Sequence, residues 1–220
     1  MPESKKQLQQ RAKEIIRVLK DEYPGALCTL DSITPHQLLV ATILAAQCTD
    51  ERVNQVTPAL FARYPTPEAF AGADQAELER IIQSTGFFRQ KAHSIIESAQ
   101  DIVSVHGGHV PETMEELLKL RGVGRKTANL LLGVAFGQPA IVVDTHVKRI
   151  AARLGLTKET DPTKIEFDLQ EILPEEDWTQ FNHLLVTHGR TICKAPTPSC
   201  SICPVMSLCP YGRAKMAAKK

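Results

Sequence analysis

Apolar residues recur along most of this chain at the three- and four-residue spacing of one helix face. Two of the clearest stripes lie at residues 8–19 and 178–185. The pattern predicts an all-α protein of about ten short helices joined by short turns. Only residues 140–143, Ala-Ile-Val-Val, look strand-like, and they are too short and isolated to imply a sheet.

Capping residues mark the ends of several predicted helices. Thr34 is predicted to cap a helix in which Pro35 takes the first position and Gln37 completes a capping box. Asp50 is predicted to cap the next helix, and the Gly107-Gly108 pair to stop a long one.

Composition and charge narrow the function only modestly. With 220 residues, 43% of them hydrophobic, the chain suits one large or two small globular domains. No apolar run reaches the length of a membrane span, and the first residues lack a signal-peptide core, so we expect no membrane partner.

The small net charge of +1 hides two basic blocks that flank an acidic one. Residues 119–153 hold seven basic side chains and one acid, residues 159–177 hold eight acids and one base, and residues 190–220 hold six bases and no acid. Basic blocks indicate a polyanion partner, although many are only solvated faces.

Four of the six cysteines are clustered near the C-terminal end in the spacing C-x6-C-x2-C-x5-C. They are Cys193, Cys200, Cys203 and Cys209. One C-x2-C knuckle with long gaps favours a cubane iron–sulfur cluster over zinc, with disulfides a distant third. Lys194 lies inside this loop, so the metal group would hold a basic loop in shape. Cys28 and Cys48 are interpreted as buried structural cysteines.

A glycine-rich turn, Gly122-Val123-Gly124, separates a predicted helix at residues 113–120 from one that begins near Arg125. Glycines permit a tight turn, and the following helix N-terminus attracts anions, so the turn is a candidate phosphate grip or an ordinary helix connection. A nucleotide-binding P-loop is excluded because no strand precedes the turn and Arg125 separates Gly124 from Lys126.

Lys126 and Asp144 are the candidate reactive residues. Lys126 lies in the first turn of a predicted helix beside Arg125, where the positive surroundings favour a neutral, nucleophilic amine. Asp144 precedes an amphipathic helix. Taken singly, the first is more often a surface charge and the second a helix cap, so it is their joint occurrence that indicates catalysis.

At these residues the chain resembles the endonuclease III family of helix-hairpin-helix DNA glycosylases and abasic-site lyases. The resemblance rests on residues 120–128, 143–146 and 45–50 and on the cysteine spacing, and it covers essentially the whole chain. Two positions depart from the family pattern. Arg121 replaces a common proline and adds a cation beside a turn that proline would stiffen, and Phe87 replaces a common leucine.

The resemblance implies a two-lobed fold. Residues 28–138 would form a six-helix barrel lobe containing the helix-hairpin-helix, and residues 1–27 with 139–220 would form a lobe carrying a 4Fe-4S cluster on the four clustered cysteines. Lys126 and Asp144 would be catalytic and face each other at a cleft that holds damaged double-stranded DNA. Gln47 would fill the gap left by a flipped nucleotide, and Phe87 would act as a wedge unless it is an ordinary core aromatic. Further DNA contacts are expected at Gly122, Gly124, Arg125, Thr145, His146 and Lys194.

The implied activity is base excision repair by a bacterial, cytoplasmic, nucleoid-associated monomer. The enzyme would remove oxidised pyrimidines through a lysine Schiff base and then cleave the strand by β-elimination. A related adenine-mismatch glycosylase is disfavoured because it lacks the hairpin lysine and usually has a further C-terminal domain. An 8-oxoguanine enzyme commonly lacks the cysteines. A non-catalytic DNA-binding module and an iron–sulfur electron carrier are the alternatives from other classes.

Overall fold

The computed structural model describes residues 3–218, and every regular element within them is helical. The α-helices are α1 (Lys5–Glu22), α2 (Pro35–Ala45), α3 (Asp50–Arg63), α4 (Pro67–Ala71), α5 (Gln75–Ile82), α6 (Phe88–His106), α7 (Met114–Leu117), α8 (Arg125–Leu130), α9 (Thr145–Leu154), α10 (Pro162–Ile172), α11 (Trp178–Thr191) and α12 (Pro210–Ala217). Short 3-10 turns follow α5 and precede α11 and α12, and a π-turn, Leu131–Ala135, extends α8. The all-α prediction is confirmed, and residues 140–143 carry no strand assignment.

The helix starts follow the local capping chemistry, with two corrections. Thr34 caps α2 by accepting the Gln37 N–H at 3.2 Å, but the Gln37 side chain accepts the N–H of Ile33 and not that of Thr34, so the predicted capping box does not form. The predicted cap at Asp50 is wrong, because Thr49 caps α3 and Asp50 is its first residue. The carboxylate of Asp50 instead accepts a hydrogen bond of 2.5 Å from the hydroxyl of Thr29. This bond connects the loop before α2 to α3.

The described chain divides into two compact units. Residues 28–138 form one and contain α2 to α8. Residues 1–27 and 139–220, as far as they are described, form the other and contain α1 and α9 to α12.

The core of the 28–138 unit is built around α6. This helix packs against α2, α4 and α5, and its apolar stripe, including Ile95 and Ile102, is fully buried. Phe70 of α4 is also fully buried and meets the ring of His36 at a centroid distance of 5.2 Å. Burial of each such large side chain contributes about 1.5–3 kcal/mol, so α6 is a rigid support for the turns around it.

In the other unit, α1 packs against α10 and α11, and α11 packs against α9. Ile15 and Leu19 of α1 share one core with Ile150 of α9 and Phe181 of α11. Arg11 adds polar ties, since its guanidinium donates to the carbonyls of Leu154, Gly155 and Leu208. The N-terminal helix is thereby fastened to the region that carries the cysteines.

Within residues 3–218, no helix is both long enough and apolar enough to cross a lipid bilayer.

Candidate functional site

The glycine turn between α7 and α8 is shaped by two different demands on its glycines. Gly122 has φ +78°, and a Cβ there would lie 2.9 Å from Cβ of Ser94 on α6, so conformation and space both require glycine. Val123 is buried and donates its N–H to the Leu120 carbonyl at 3.2 Å. Gly124 is extended, and a Cβ there would meet nothing within 4 Å. The turn is therefore anchored at Gly122 and Val123 and open at Gly124.

The open side of the turn leads directly into α8. No side chain caps the first turn of this helix, whose N-cap is Gly124. Its leading N–H groups and positive helix end form an electropositive surface that suits an anion. Lys126 is exposed in this first turn, beside the half-buried Arg125.

Arg121, which stands where the family commonly has proline, forms an ion pair with α6. Its Nε lies 3.4 Å from Oε2 of Glu97, whose other oxygen lies 3.3 Å from Nε2 of His93. Such exposed pairs contribute about 0–1 kcal/mol. The positive charge of Arg121, expected beside the turn, is therefore paired with the carboxylate of Glu97 on α6.

Gln47 and Phe87 share an unusual backbone conformation. Among residues 3–218 they are the non-glycine residues with positive φ, at +54° and +46°. Each follows the end of a helical segment, α2 for Gln47 and the 3-10 turn Gln83–Thr85 for Phe87. The Phe87 side chain is 65% exposed, which excludes the core-aromatic interpretation of this residue. Both side chains are held out from the surface on strained turns.

Asp144 lies in the other unit and caps α9. Its Oδ1 accepts the N–H of Val147 at 2.8 Å, and the side chain is half-buried. Thr145, the first residue of α9, is exposed. The cap engages Oδ1 and leaves Oδ2 as a second acceptor on the same carboxylate.

His146 lies where α9 and α11 approach each other closely. Its Nδ1 is 3.2 Å from Nη2 of Arg149, and Arg149 also donates to the Gly189 carbonyl on α11. A Cβ at Gly189 would clash with the ring of His146 and approach Ile150 to 3.0 Å. Half-buried His146 thus packs within its own unit as well as lying beside Asp144 and Thr145.

The four clustered cysteines line one cavity that is partly open to solvent. All are free thiols, so the structure does not support the disulfide alternative. Among the described residues, no group of three or more His, Cys, Asp or Glu side chains is arranged to hold a single metal ion. A cubane cluster binds each thiolate through a different iron, so its ligands line a cavity rather than converge on one point. The residues present therefore fit such a cluster.

Three of the sulfurs have nitrogen atoms beside them, and two of these nitrogens are N–H donors. Arg153 Nη1 lies 3.3 Å from the sulfur of Cys193, and the Gly212 N–H lies 3.3 Å from that of Cys209. Nε2 of His188 lies 3.6 Å from the sulfur of Cys203. Hydrogen bonds of this kind stabilise thiolate ligands and tune iron–sulfur centres.

Burial changes the acid–base behaviour of two groups at this cavity. It raises the pKa of the Cys203 thiol to about 11 and lowers that of His188 to about 4, because both charged forms lose solvation. His188 is further held by the Tyr23 hydroxyl, 2.9 Å from Nδ1. The ring is therefore neutral at pH 7.

Arg153 is the main residue that the sequence did not reveal. Besides the sulfur of Cys193 it donates to the carbonyls of Lys194 and Pro196, and it stacks on Tyr211 with its guanidinium carbon 5.1 Å from the ring centroid. Arg149 likewise donates to the Cys193 carbonyl at 3.1 Å. These two cations of the first basic block are thus turned inward to hold the cysteine loop, whereas Lys194 is exposed on it. Arg149 and Arg153 are four residues apart on α9, and this spacing in the sequence indicates that both lie on one face of the helix.

The helix-hairpin-helix formed by α7, the glycine turn Gly122–Gly124 and α8, called the hairpin below, occurs here together with the cysteine cavity in an all-helical fold. This combination corresponds to a known class of protein. The sequence pattern of the HhH-GPD superfamily of base excision DNA repair proteins matches residues 40–175. The chain belongs to this family.

Relatives and solved structures agree over nearly the full length. The chain is 56% identical to endonuclease III of Synechocystis sp. over 206 residues, which are 93% of this chain and 94% of that protein. It is 45% identical to endonuclease III of Bacillus subtilis over 88% of this chain and 89% of that protein. A structure of a trapped endonuclease III–DNA covalent intermediate is 41% identical, with a TM-score of 0.89 over 94% of this chain and 98% of that one. The predicted resemblance to the endonuclease III branch of HhH-GPD proteins is confirmed.

Proposed function

We propose that this protein is a bifunctional DNA glycosylase and abasic-site lyase that removes oxidised pyrimidines from double-stranded DNA. The observation that carries the proposal is the exposed Lys126 in the first turn of α8, directly behind a glycine turn that is open at Gly124. A nucleophilic amine is thereby presented beside a surface suited to phosphate. The similarity to a trapped endonuclease III–DNA covalent intermediate supports the same chemistry.

The hairpin binds the DNA backbone. The uncapped N–H groups of α8 donate to a phosphate, with the backbone of Gly122 and Gly124 and the side chain of Arg125 beside it. Exposed Thr145 and Lys194, with neighbouring His146, add contacts from the other unit. These contacts position the enzyme without reading sequence.

Gln47 and Phe87 act on the base stack. A damaged base inside a duplex cannot be reached by Lys126, so its nucleotide must be flipped out. Gln47 fills the vacated space, and Phe87, exposed on its strained turn, enters the stack as a wedge. An aromatic ring at this position also stacks on the base left without a partner.

Lys126 and Asp144 act on the same sugar. Nζ of Lys126 attacks C1′ and the C1′–N bond breaks, so that the base leaves with the bonding electrons and takes up a proton. The C1′–O4′ bond then breaks, O4′ takes up a proton, and the nitrogen lone pair forms a protonated imine between Nζ and C1′. Loss of a C2′ proton then breaks the C3′–O bond and expels the 3′ phosphate by β-elimination. The Asp144 carboxylate accepts the proton of Lys126 and balances the positive charge that develops at the sugar.

The cofactor proposed for this chain is a 4Fe-4S cluster held by Cys193, Cys200, Cys203 and Cys209, which line one cavity. When bound, it ties four points of one loop together and stabilises its shape. The residues around it maintain the surface that carries Lys194. We assign the protein to the bacterial cytoplasm, where it acts as a monomer on chromosomal DNA.

Borohydride trapping tests the proposal directly. The protein is incubated with duplexes that carry thymine glycol, 8-oxoguanine, uracil or an A·G mismatch and with an abasic duplex, and each reaction is reduced. We expect base release and a covalent adduct on thymine glycol, and an adduct on the abasic duplex.

Lys126→Gln should still bind abasic DNA but form no adduct. Lys119→Gln, which removes an exposed lysine before the hairpin that pairs with Glu115, is the matched control and should trap normally. Trapping that persists in Lys126→Gln would exclude Lys126 as the nucleophile. Binding of wild-type protein without base release or adduct would instead support a non-catalytic DNA-binding module.

A further inference from the structure

Lys91 is a buried lysine on α6 that the proposed chemistry does not use. It is 4% exposed, and its Nζ donates to the carbonyls of Leu44 at 2.7 Å and of Thr85 at 2.8 Å. Burial lowers the pKa of this lysine, because the ammonium loses solvation. Desolvation of an ammonium is unfavourable unless its donors are well satisfied, so this arrangement needs an explanation.

The two acceptors lie just before the two strained residues. Leu44 is in the last turn of α2, three residues before Gln47, and Thr85 ends the 3-10 turn two residues before Phe87. Carbonyls at a helical end lack partners within their own helix, and a lysine ammonium can supply them. A single Nζ therefore binds a carbonyl at the end of each helical segment, just before the residue that adopts positive φ.

Positive φ at a glutamine or a phenylalanine is strained and persists only where the surroundings enforce it. Two hydrogen bonds to one cation fix the carbonyl groups that precede both turns. They also fix the separation between the turns, because both bonds end on the same nitrogen.

The hairpin rests on the same face of α6. Ser94, one turn after Lys91, contacts the backbone at Gly122 so closely that no Cβ fits there. Glu97, one further turn on, pairs with Arg121. The residues at 91, 94 and 97 thus connect the Gln47 turn, the Phe87 turn and the hairpin to one rigid helix.

We propose that Lys91 is a positioning residue that holds Gln47 and Phe87 at a fixed mutual spacing for entry into the DNA stack. This rests on the function proposed above, in which those two residues stabilise a flipped-out nucleotide. It implies that Lys91 matters for opening a duplex and not for the chemistry of Lys126 at a sugar that is already accessible.

The test compares two substrates in Lys91→Met, which keeps most of the side-chain length and removes the donors. On a thymine glycol duplex, the single-turnover rate of base release should fall by about tenfold or more, because a nucleotide that is not held out of the stack is rarely within reach of Lys126. The fluorescence rise of a 2-aminopurine opposite the lesion should fall with it. On a single-stranded abasic oligonucleotide, β-elimination should stay within about twofold of wild type, since no stack has to be opened.

Ser98→Ala is the matched structural control. Ser98 is fully buried on α6, and its hydroxyl donates only locally, to the Ile95 carbonyl. This variant should retain both activities and the fluorescence response. Equal losses on the two substrates in Lys91→Met, or no loss on either, would overturn the proposal.

A double-mutant cycle tests whether Lys91 acts through the two turns. Added to a Gln47→Ala, Phe87→Ala background, Lys91→Met should cause little further loss on the duplex, and a fully additive loss contradicts the proposal. If Lys91→Met does not fold, Lys91→Arg is measured in the same way, because its wider guanidinium keeps the charge but displaces the carbonyls. The same selective loss on the duplex is then required. Absence of base release in wild type is a failure of the proposed function and is seen before any variant is made.

Discussion

The carboxylate of Asp144 accepts the backbone N–H of Val147 at 2.8 Å and so caps α9 through Oδ1. One residue therefore has a structural role and, in the proposed reaction, an electrostatic one. The two roles place different demands on the side chain, because a cap needs an acceptor and charge balance needs an anion.

Asp144→Asn separates these roles. The amide keeps an acceptor oxygen for the Val147 N–H, so the variant should keep most of the roughly 1 kcal/mol of cap stabilisation. Turnover should fall to a small fraction of wild type, because the neutral amide neither takes a proton nor balances a cation. Thermal unfolding and single-turnover base release measure the two effects, and near-normal turnover would leave Asp144 as a cap alone.

The two hairpin glycines should respond differently to alanine. Gly124→Ala introduces a Cβ into open space at an extended backbone, so stability should be unchanged while DNA binding weakens as the phosphate approach narrows. Gly122→Ala combines φ +78° with a 2.9 Å approach to Ser94 and should lower the free energy of unfolding by about 1 kcal/mol or more.

Denaturant titrations and DNA-binding isotherms of the two variants test this pair. Unchanged DNA affinity in Gly124→Ala would exclude close phosphate approach at that position.

Arg153→Met should weaken the cysteine loop. The variant loses the hydrogen bonds to the sulfur and carbonyl of Cys193 and to the carbonyls of Lys194 and Pro196. We expect lower iron content and faster bleaching of the visible absorption in air, measured on matched preparations. Lys215→Met removes one charge and a single bond to the Pro198 carbonyl and is the control. Equal iron retention in both variants would contradict the role of Arg153.

His36 should make the protein less stable in mild acid. Burial lowers its pKa from 6.5 to about 4, with Glu68 opposing the shift weakly. A histidine with a lowered folded-state pKa is protonated first in the unfolded chain. Its contribution is therefore fully present above about pH 6.5 and is lost as pH falls toward 4, by an amount on the order of 2–3 kcal/mol.

Comparison with His36→Phe isolates this contribution, because the aromatic contact with Phe70 is kept and the titration is removed. The urea midpoint should fall less between pH 7 and pH 4.5 in the variant than in wild type. Parallel pH dependences of the two proteins would assign the acid sensitivity to other groups, such as His183 and His188, whose pKa values are also lowered by burial.

Local chemistry explains what could be predicted from the sequence. Thr34 and Pro35 begin α2 and Gly107 ends α6, because caps and left-handed turns depend on residues within one helical turn. Asp50 shows the limit of such reasoning. Thr49 and Asp50 are both suitable N-cap residues by type. The carboxylate of Asp50 accepts a hydrogen bond from Thr29, 21 residues away, and Thr49 is the N-cap.

The sequence by itself determined the all-helical fold, the family and the candidate chemistry of Lys126, Asp144 and the four clustered cysteines. Periodicity, turn residues and short motifs are local in the chain, so they can be interpreted without coordinates.

Only the tertiary structure decided which charges are buried and what they hold. Lys91 is one of several basic residues in the sequence until it meets Leu44, 47 residues away, and Arg153 becomes a sulfur donor across 40 residues. The exposure of Phe87 was equally ambiguous beside Phe88. Burial and hydrogen-bond partners arise from contacts between distant segments, which no local pattern specifies.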